Sequence, residues 1–404
     1  MQQQAVYTNE RFVFLLAGAG TGKTRVIIER MKYLLQQGIP ESRLLAITFT
    51  NKAANEMKER LQHDNVAIHT FHQFCYRMLK QYQTYTYDIL NQDLPINEAE
   101  QLLIARYKNS FYQTKKPKVY DQYESYLKDH HLKDFDDLLL DFYHQADQWT
   151  KVISYDYIFV DEFQDTNRLQ YLILKKLIQK HTSLFCVGDP DQSIYQFRGA
   201  HEKVIEQYVK DFNAKVLTLN INYRSVDSIL KLANALIKRN NKTFKKVLIG
   251  VNHQKVLQYM IENDHQQQES QVLIKHIKNH IKEGVKPSEI AILYRNHQRS
   301  YDIRYAINQT YIKGIHILSL HQAKGLEFDV VFIIGLEEGS IPSYHAHTLS
   351  DLQEERRLFF VGITRAKSVL YLSYVKYNND AEHVAKSRFL KELKKEQHLL
   401  KKTV

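Results

Sequence analysis

A glycine-rich segment between a predicted strand and a predicted helix constrains this chain more than any other feature. The apolar run Phe12–Leu16 is followed by the residues AGAGTGKT at 17–24, and a helical pattern then continues to Gln36. Glycines in such a turn allow successive backbone N–H groups to surround a phosphate, and the helix N-terminus adds positive potential. The segment therefore predicts a P-loop within an α/β fold built on a parallel sheet.

The P-loop also supplies predicted ligands for ATP and its metal ion. We expect Lys23 to reach the β- and γ-phosphates and Thr24 to bind Mg²⁺. The strict P-loop pattern begins with glycine, where this chain has Ala17. A glycine turn that binds nothing is the alternative interpretation. The predicted ATP-binding residues of this segment are Ala17, Gly18, Ala19, Gly20, Thr21, Gly22, Lys23, Thr24 and Arg25.

An acidic pair follows a second apolar strand, Tyr157–Val160. Such a strand places Asp161 and Glu162 at the tip of a sheet, where Asp161 is expected to hold Mg²⁺ directly or through water. Glu162 is expected to orient and deprotonate the attacking water. A solvated turn is the alternative for an isolated acidic pair, but the upstream P-loop favours ATP hydrolysis.

Strand-like apolar runs alternate with helical patterns along most of the chain, which predicts parallel sheets with helices on both faces. The strand-like runs stop between about residues 81 and 133, where polar and aromatic residues recur at helical spacing. We therefore predict a first lobe over 1–80 and 134–213, a small helical insertion over 81–133, and a second lobe over 214–404. The Lys-rich segment Lys391–Lys402 is expected to be a solvated helix end.

Composition limits the remaining function classes. The net charge of +11 permits binding to a polyanion such as nucleic acid, but it does not require such a partner. The longest apolar runs are only as long as a strand, so we predict no membrane span. Cys75 and Cys186 are the only cysteines and cannot form a disulfide framework. These features favour a cytoplasmic protein.

Two further clusters of residues have competing interpretations. The segment Tyr107–Lys128 interleaves tyrosine, phenylalanine and lysine. It is either an accessory DNA surface or a pair of amphipathic helices with lysines facing solvent, and we favour the helices. The second cluster consists of His63, His69, His72 and Cys75, whose irregular spacing argues against a metal site.

Several longer blocks resemble one family of proteins. DEFQDT at 161–166 is followed by GDPDQSIYQFRGA at 188–200. Further blocks occur in the same order as in that family: TFTNKAA at 48–54, TFH at 70–72, NYRS at 222–225, LYRN at 293–296, HQAKGLEF at 321–328 and VGITRA at 361–366. The chain resembles the UvrD/Rep-type helicases of superfamily 1 from residue 2 to about 390, apart from the helical insertion. Alanine at the Ala17 position is usual in that family.

The resemblance implies two RecA-like lobes that hydrolyse Mg-ATP in a cleft between them. It places Gln2 at the adenine edge, where an amide offers a paired donor and acceptor. It also implies that Tyr223 stacks on adenine and that Glu327 contacts the ribose. Arg224 and Arg365 are implied to reach the γ-phosphate, and Gln192 is implied to couple the γ-phosphate to the DNA-binding surface.

The same resemblance implies a track for single-stranded DNA, in which aromatic faces stack on bases while amides, hydroxyls and arginine contact phosphates. The family usually has tryptophan at the Phe197 position. For Phe71, core packing is the alternative. The implied DNA contacts are Thr50, Asn51, Phe71, His72, Tyr195, Phe197, Arg198 and His321.

The second helical insertion of the family should lie between Arg299 and His316, where this chain has only the short stretch Ser300–Gly314. We therefore expect a minimal motor that moves 3′-to-5′ on single-stranded DNA or a 3′-tailed duplex, and whose unwinding is either unregulated or dependent on a protein partner. DNA repair, replication or recombination is the expected context. An ATP-gated DNA-binding switch is the alternative, whereas an unrelated nucleotide kinase does not require the downstream blocks.

Overall fold

The computed structural model describes residues 1–82, 87–90, 96–149, 153–196, 199–200, 203–254, 256, 258–393, 396 and 400–403. The chain forms two compact units. The first comprises Met1–Ala17 and Gly22–Leu219, and the second comprises Gly18–Thr21 and Asn220–Val404. Each unit contains a six-stranded sheet whose paired strands are all parallel. The predicted α/β fold class is confirmed.

The sheet of the first unit explains the short apolar runs in the sequence. Its strands are β1 (Phe12–Ala17), β2 (Leu44–Thr48), β3 (Ala67–Thr70), β6 (Tyr157–Val160), β7 (Ser183–Gly188) and β8 (Lys215–Leu219). They are arranged in the order β3-β2-β6-β7-β1-β8. All five residues of β2 are buried, as expected for a strand that is covered on both faces.

Helices follow most of these strands, as the alternating pattern predicts. They are α1 (Gln2–Val6), α2 (Lys23–Gln36), α3 (Asn51–Leu61), α4 (Phe71–Tyr82), α8 (Arg168–Leu177) and α9 (Val204–Phe212). Along β1, Val13, Leu15 and Ala17 join one apolar core with Ile27 and Met31 of α2. Alternate side chains of β1 therefore pack against one face of α2, and this packing fixes where the P-loop leaves the sheet.

The segment between α4 and β6 is mainly helical. It contains β4 (Asp88–Ile89), α5 (Glu98–Asn109), α6 (Tyr120–Asp129), β5 (Leu132–Lys133) and α7 (Phe135–Trp149). Asn97 and Glu100 form a capping box that satisfies backbone N–H groups at the start of α5. The two short strands β4 and β5 pair in parallel and were not predicted, because two-residue strands leave no periodic pattern.

The tyrosines of this insertion favour the helix-pair interpretation over the DNA-surface interpretation. The ring of Tyr107 packs edge-on against Tyr112 and Tyr120. Lys108, however, does not face solvent as expected. Its side chain is buried, and its ammonium group pairs with three carboxylates, those of Glu124, Asp134 and Asp137.

The second unit repeats the sheet architecture of the first. Its strands are β9 (Ile221–Val226), β10 (Ile249–Asn252), β11 (Gln258–Asn263), β12 (Ile290–Tyr294), β13 (His316–Ser319), β14 (Phe328–Ile333), β15 (Ala366–Val375) and β16 (Leu400–Thr403). The main sheet has the order β13-β12-β14-β15-β11-β16, and β9 pairs separately with β10. Its helices are α10 (Asp227–Ile237), α11 (Gln266–Lys282), α12 (Tyr301–Asn308), α13 (Leu349–Ile363) and α14 (Arg388–Glu392).

Two boundaries differ from the sequence-based expectation. Strand β8 pairs with β1, so the first unit extends to Leu219 rather than to residue 213. The tail is not simply a solvated helix end, because β16 pairs with β11 and supplies hydrogen bonds to the edge of the second sheet. Local periodicity does not reveal either pairing, since each depends on a distant partner strand. Among the described helices, none is long and apolar enough to span a membrane.

A buried ion cluster joins three distant segments of the second unit. One guanidinium nitrogen of Arg299 lies 2.9 Å from Glu269 and 3.1 Å from Glu337. Glu337 also accepts the backbone N–H of Val375 in β15. Because these charges are removed from water, each carboxylate depends on the guanidinium for compensation.

We expect Arg299→Met to lower the free energy of unfolding of the second unit by about 3–5 kcal/mol, because it leaves two buried carboxylates without a cation. Hydrogen exchange of the β12 and β15 amides reports this unit directly. The matched control is Arg388→Met, which breaks an exposed pair with Glu338 and should cost roughly 0–1 kcal/mol. Equal losses in the two variants would contradict the stabilising role of the buried cluster.

Candidate functional site

The predicted site residues of the first unit lie at the carboxyl ends of its strands. The P-loop follows β1, Thr50 follows β2, and His72 follows β3. Asp161 and Glu162 follow β6, and another acidic residue, Asp189, follows β7. Since parallel strands all end at the same edge, the sheet gathers these chemical groups at one edge.

The P-loop and the acidic pair meet directly. The Lys23 ammonium lies 2.8 Å from a Glu162 carboxylate oxygen, and the Thr24 hydroxyl donates to Asp161 over 3.1 Å. Burial and the adjacent Glu162 carboxylate raise the pKa of Asp161 to about 6. A hydroxyl and a buried carboxylate are oxygen ligands that suit Mg²⁺, and a cation here would favour the charged form of Asp161. The residues present therefore fit a magnesium ion.

Glu162 has an unusual backbone conformation. Its φ of 51° lies in the left-handed region, which a residue with a β-carbon seldom adopts. The surrounding contacts hold it there, because its carboxylate pairs with Lys23 and also accepts from the Gln164 amide. Strain maintained at one acidic residue in this way is typical of a functional position.

A chain of buried polar groups extends from Glu162. Gln164 accepts the backbone N–H of Asp189 at 2.9 Å, and the Asp189 carboxylate accepts from the Gln192 amide at 2.7 Å. The chain thus joins the acidic pair to the residue predicted to sense the γ-phosphate. Sequence reasoning missed Gln164, although it lies inside the DEFQDT block, because its role depends on a contact with the next strand.

Gln2 also lies close to the P-loop. A β-carbon at Gly22 would approach the Gln2 amide nitrogen to 3.3 Å, and Gly22 has a φ of +83° that favours glycine. The amide predicted to bind adenine is therefore placed beside the loop predicted to bind phosphates. Arg25, in the first turn of α2, has an exposed side chain.

The second unit gathers the three predicted charged residues. Arg224 donates to Glu327 at 2.6 Å and to the Thr364 carbonyl at 3.1 Å. Arg365 is buried, and its guanidinium donates to the carbonyls of Val361 and Leu326 and to the Thr364 hydroxyl. Although burial raises it, the pKa of Glu327 is held below its usual value by the Arg224 guanidinium. Three blocks that are distant in sequence thus form one cluster.

Asn222 is a second residue that sequence reasoning missed. Its side chain is buried, donates to the Ala19 carbonyl at 2.7 Å and accepts the backbone N–H groups of Arg224 and Ser225. It therefore orients both the apex of the P-loop and the start of the arginine cluster. The NYRS block contained this residue, but its neighbours Tyr223 and Arg224 have the more obvious chemistry. The Tyr223 ring is 56% exposed and is available for stacking.

The predicted DNA contacts fall into four groups. Thr50 and Asn51 are exposed, and the neighbouring Phe49 stacks on Tyr195 with centroids 5.0 Å apart. Phe71, by contrast, is only 6% exposed, which favours the core-packing alternative for this residue. His72 and His321 are partly exposed beyond the strands that precede them. Phe197 and Arg198 lie outside the described residues.

Comparisons with known proteins identify both halves of the chain. A family profile described as an AAA domain matches residues 2–198. A second profile, the UvrD-like helicase C-terminal domain, matches residues 217–314 and 306–377. The two matched segments of the second profile meet where the sequence shortens the second insertion.

Two relatives support the same assignment. A protein of Mycoplasma pneumoniae named "Probable DNA helicase" is 31% identical over 461 residues, covering 98% of this chain and 86% of the relative. A Staphylococcus aureus protein named "ATP-dependent DNA helicase PcrA" is 34% identical over 366 residues, covering 78% of this chain. This chain spans about half the length of that PcrA protein, with 49% covered. The chain belongs to the UvrD/Rep-type helicases of superfamily 1.

Proposed function

We propose that this chain is an ATP-dependent DNA helicase or translocase that moves 3′-to-5′ along single-stranded DNA. The single observation that best supports the proposal is the chain of hydrogen bonds from Lys23 through Glu162, Gln164 and Asp189 to Gln192, whose last three residues are buried. It links the phosphate-binding lysine to the block that contains predicted DNA contacts. The names of the relatives support DNA as the nucleic acid, and the family resemblance implies the 3′-to-5′ polarity.

The residues of the first unit have separable tasks in this proposal. Lys23 neutralises phosphate charge, while Thr24 and Asp161 hold Mg²⁺, which stabilises the charge that develops on the transferred phosphoryl group. Glu162 accepts a proton from the attacking water and positions that water for attack. Gln192 responds to the γ-phosphate through the same buried chain.

In the second unit, we propose that Arg224 and Arg365 add positive charge to the transition state. Planar guanidinium groups match the equatorial oxygens of a transferring phosphoryl group. Glu327 orients Arg224 through its 2.6 Å hydrogen bond. Exposed Tyr223 is proposed to stack on adenine, together with the edge contact from Gln2.

The shortened second insertion bears on unwinding. The alignment with the Mycoplasma relative extends over 461 positions, more than the 404 residues of this chain, so the relative carries internal residues that this chain lacks. We propose that travel on a single strand is intrinsic, whereas efficient strand separation needs a protein partner. DNA repair, replication or recombination is the proposed context.

We expect Glu162→Gln to lower ATP turnover about 10²- to 10⁴-fold, because an amide cannot accept the proton of the attacking water. ATP should still bind, since Lys23 remains, whereas Lys23→Ala should weaken ATP binding as well. Steady-state ATPase assays and equilibrium binding of a fluorescent ATP analogue distinguish these effects. Glu29→Gln changes an exposed glutamate on α2 and is the matched control. Normal turnover in Glu162→Gln would remove this residue from the catalytic role.

A translocase should leave long oligo-dT strands more slowly than short ones, because it must travel to the end before it dissociates. We therefore expect the dissociation time in stopped-flow measurements with ATP to increase linearly with strand length. A fluorophore at the 5′ end should report arrival, whereas one at the 3′ end should not. Glu162→Gln should abolish the length dependence.

The alternative to the translocase, an ATP-gated DNA-binding switch, predicts a dissociation time independent of strand length. Arrival at the 3′ end would contradict the proposed polarity. Strand displacement on a 3′-tailed duplex, with and without added candidate partners, then separates travel from unwinding.

A further inference from the structure

We propose that Phe135 and His72 form an aromatic platform that stacks on one base of single-stranded DNA. We further propose that Asn109 couples this platform to the acidic pair, as a positioning residue. The inference rests on the proposed DNA-binding function and extends it to residues of α5 and α7 that the family resemblance did not indicate. We call the two rings together the Phe135 platform.

The Phe135 ring is an exposed apolar surface at the start of a helix whose other apolar side chains are largely buried. Phe135 is the first residue of α7 and is 55% exposed, while the same helix buries Leu138 and Leu139 almost completely. Its ring meets His72 edge-on, with centroids 6.2 Å apart and planes at 87°. His72 follows β3 at the edge where Thr50 and Asn51 follow β2, so the platform adjoins the predicted DNA contacts.

The local charges favour a base over a phosphate as the ligand. Asp134, Asp136 and Asp137 lie next to Phe135 in sequence, and free carboxylates there would repel a phosphodiester. Lys108 pairs with Asp134 and Asp137 at 2.8 and 2.6 Å, and Asn109 donates to Asp136 at 3.0 Å. These contacts hold the carboxylates around an exposed ring. An aromatic face without an accompanying free cation binds nucleic acid by stacking, which any base can satisfy.

The His72 imidazole is weakly constrained on the side that faces Asp136. Its Nε2 atom is buried and makes no hydrogen bond within the described part of the chain, and the nearest carboxylate oxygen, of Asp136, is 3.9 Å away. A modest rotation would bring the ring into hydrogen-bonding distance of Asp136. The imidazole plane can therefore rotate when a base covers Phe135, and this rotation would change the distance between His72 and Asp136.

Two buried amides connect Asp136 to the acidic pair. Asn109 donates to Asp136 and accepts from the Asn167 amide at 2.7 Å. Asn167 caps α8, immediately after the 3-10 helix Phe163–Asp165 that follows Glu162. Asn109 and Asn167 are 6% and 7% exposed, so neither amide is free to exchange this bond for bulk water.

Asn109 also lies close to Gly199, in the segment that follows β7. A β-carbon at Gly199 would approach the Asn109 β-carbon to 3.3 Å. The Asn109 side chain thus bonds to residues after β6 and at the start of α7, and lies beside a residue after β7. This is the arrangement expected of a residue that transmits the occupancy of a DNA site to a catalytic loop.

We expect Phe135→Ala to weaken binding of oligo-dT about tenfold, in line with the loss of one stacked base. Phe135→Tyr should restore most of the affinity because it retains the ring. The dependence of affinity on salt concentration should be the same in wild type and Phe135→Ala, since no phosphate contact is lost. Tyr311→Ala removes a fully exposed ring in the second unit and is the control that should bind normally.

Stacking of one base on the Phe135 platform can be measured directly. In a series of oligo-dT strands, a single abasic site is placed at each position in turn. Wild type should bind more weakly when the missing base is the one that would stack on Phe135. This loss of affinity should be absent in Phe135→Ala. Equal affinity of wild type and Phe135→Ala for intact oligo-dT would overturn the platform. Absence of any binding to oligo-dT by wild type would instead overturn the proposed function itself.

Coupling is tested with Asn109→Ala and the exposed control Asn279→Ala. We expect Asn109→Ala to reduce the ratio of DNA-stimulated to DNA-free ATPase about fivefold while oligo-dT affinity changes less than about twofold. Thermal unfolding midpoints identify a loss caused by misfolding, and the stimulation ratio, measured on folded protein, is insensitive to the active fraction. An unchanged ratio in Asn109→Ala would overturn the coupling.

Discussion

The ion pair between Lys23 and Glu162 is the interaction on which the rest of the first unit depends. Its two residues come from loops that follow β1 and β6, which are separated in the sheet by β7. The pair forms only if these parallel strands are in register, because a shift by one residue would turn the loop residues away from each other. In the proposed function, phosphate oxygens would compete with the Glu162 carboxylate for the same ammonium group. Nucleotide binding and the position of this carboxylate would therefore be linked by electrostatics.

The second unit uses its arginines in two different ways. Arg365 is buried and donates to two carbonyls and a hydroxyl, so its plane is fixed by neutral acceptors. Arg224 is paired with Glu327, a charged acceptor that is nearly half exposed. Although burial raises it, the pKa of the Glu327 carboxyl is lowered by both arginines, and Arg224 has the larger effect because it is the direct hydrogen-bond partner. Glu327 therefore links the two guanidinium groups electrostatically.

The sequence predicted the parallel α/β class and most strands of both sheets, because buried parallel strands appear as short apolar runs. Lys23, Thr24, Asp161 and Glu162 were predicted from local spacing, and the structure brings these side chains together. Gln164 and Asn222 were missed since each acts through a contact with a distant backbone group. Phe71 was implied as a DNA contact by the family resemblance, with core packing as the alternative, and only the packing of α4 shows that its side chain is buried. Likewise, β16 is recognisable only once β11 offers it an unpaired edge.

The small insertion is attached to the rest of the first unit through buried polar contacts. Its helices α5 and α6 have little apolar core of their own, centred on Ile104, Tyr123 and Leu127. The charged group of Lys108 joins them to α7, while the next residue, Asn109, reaches the segment after the acidic pair. These two neighbouring residues at the end of α5 thus stabilise the insertion and contact the segment that follows β6. Because the ammonium group and the amide are both buried, neither can be removed without exposing unpaired polar groups. The neighbouring residues Lys108 and Asn109 therefore divide two tasks, since Lys108 joins the helices of the insertion and Asn109 connects them to the segment after β6.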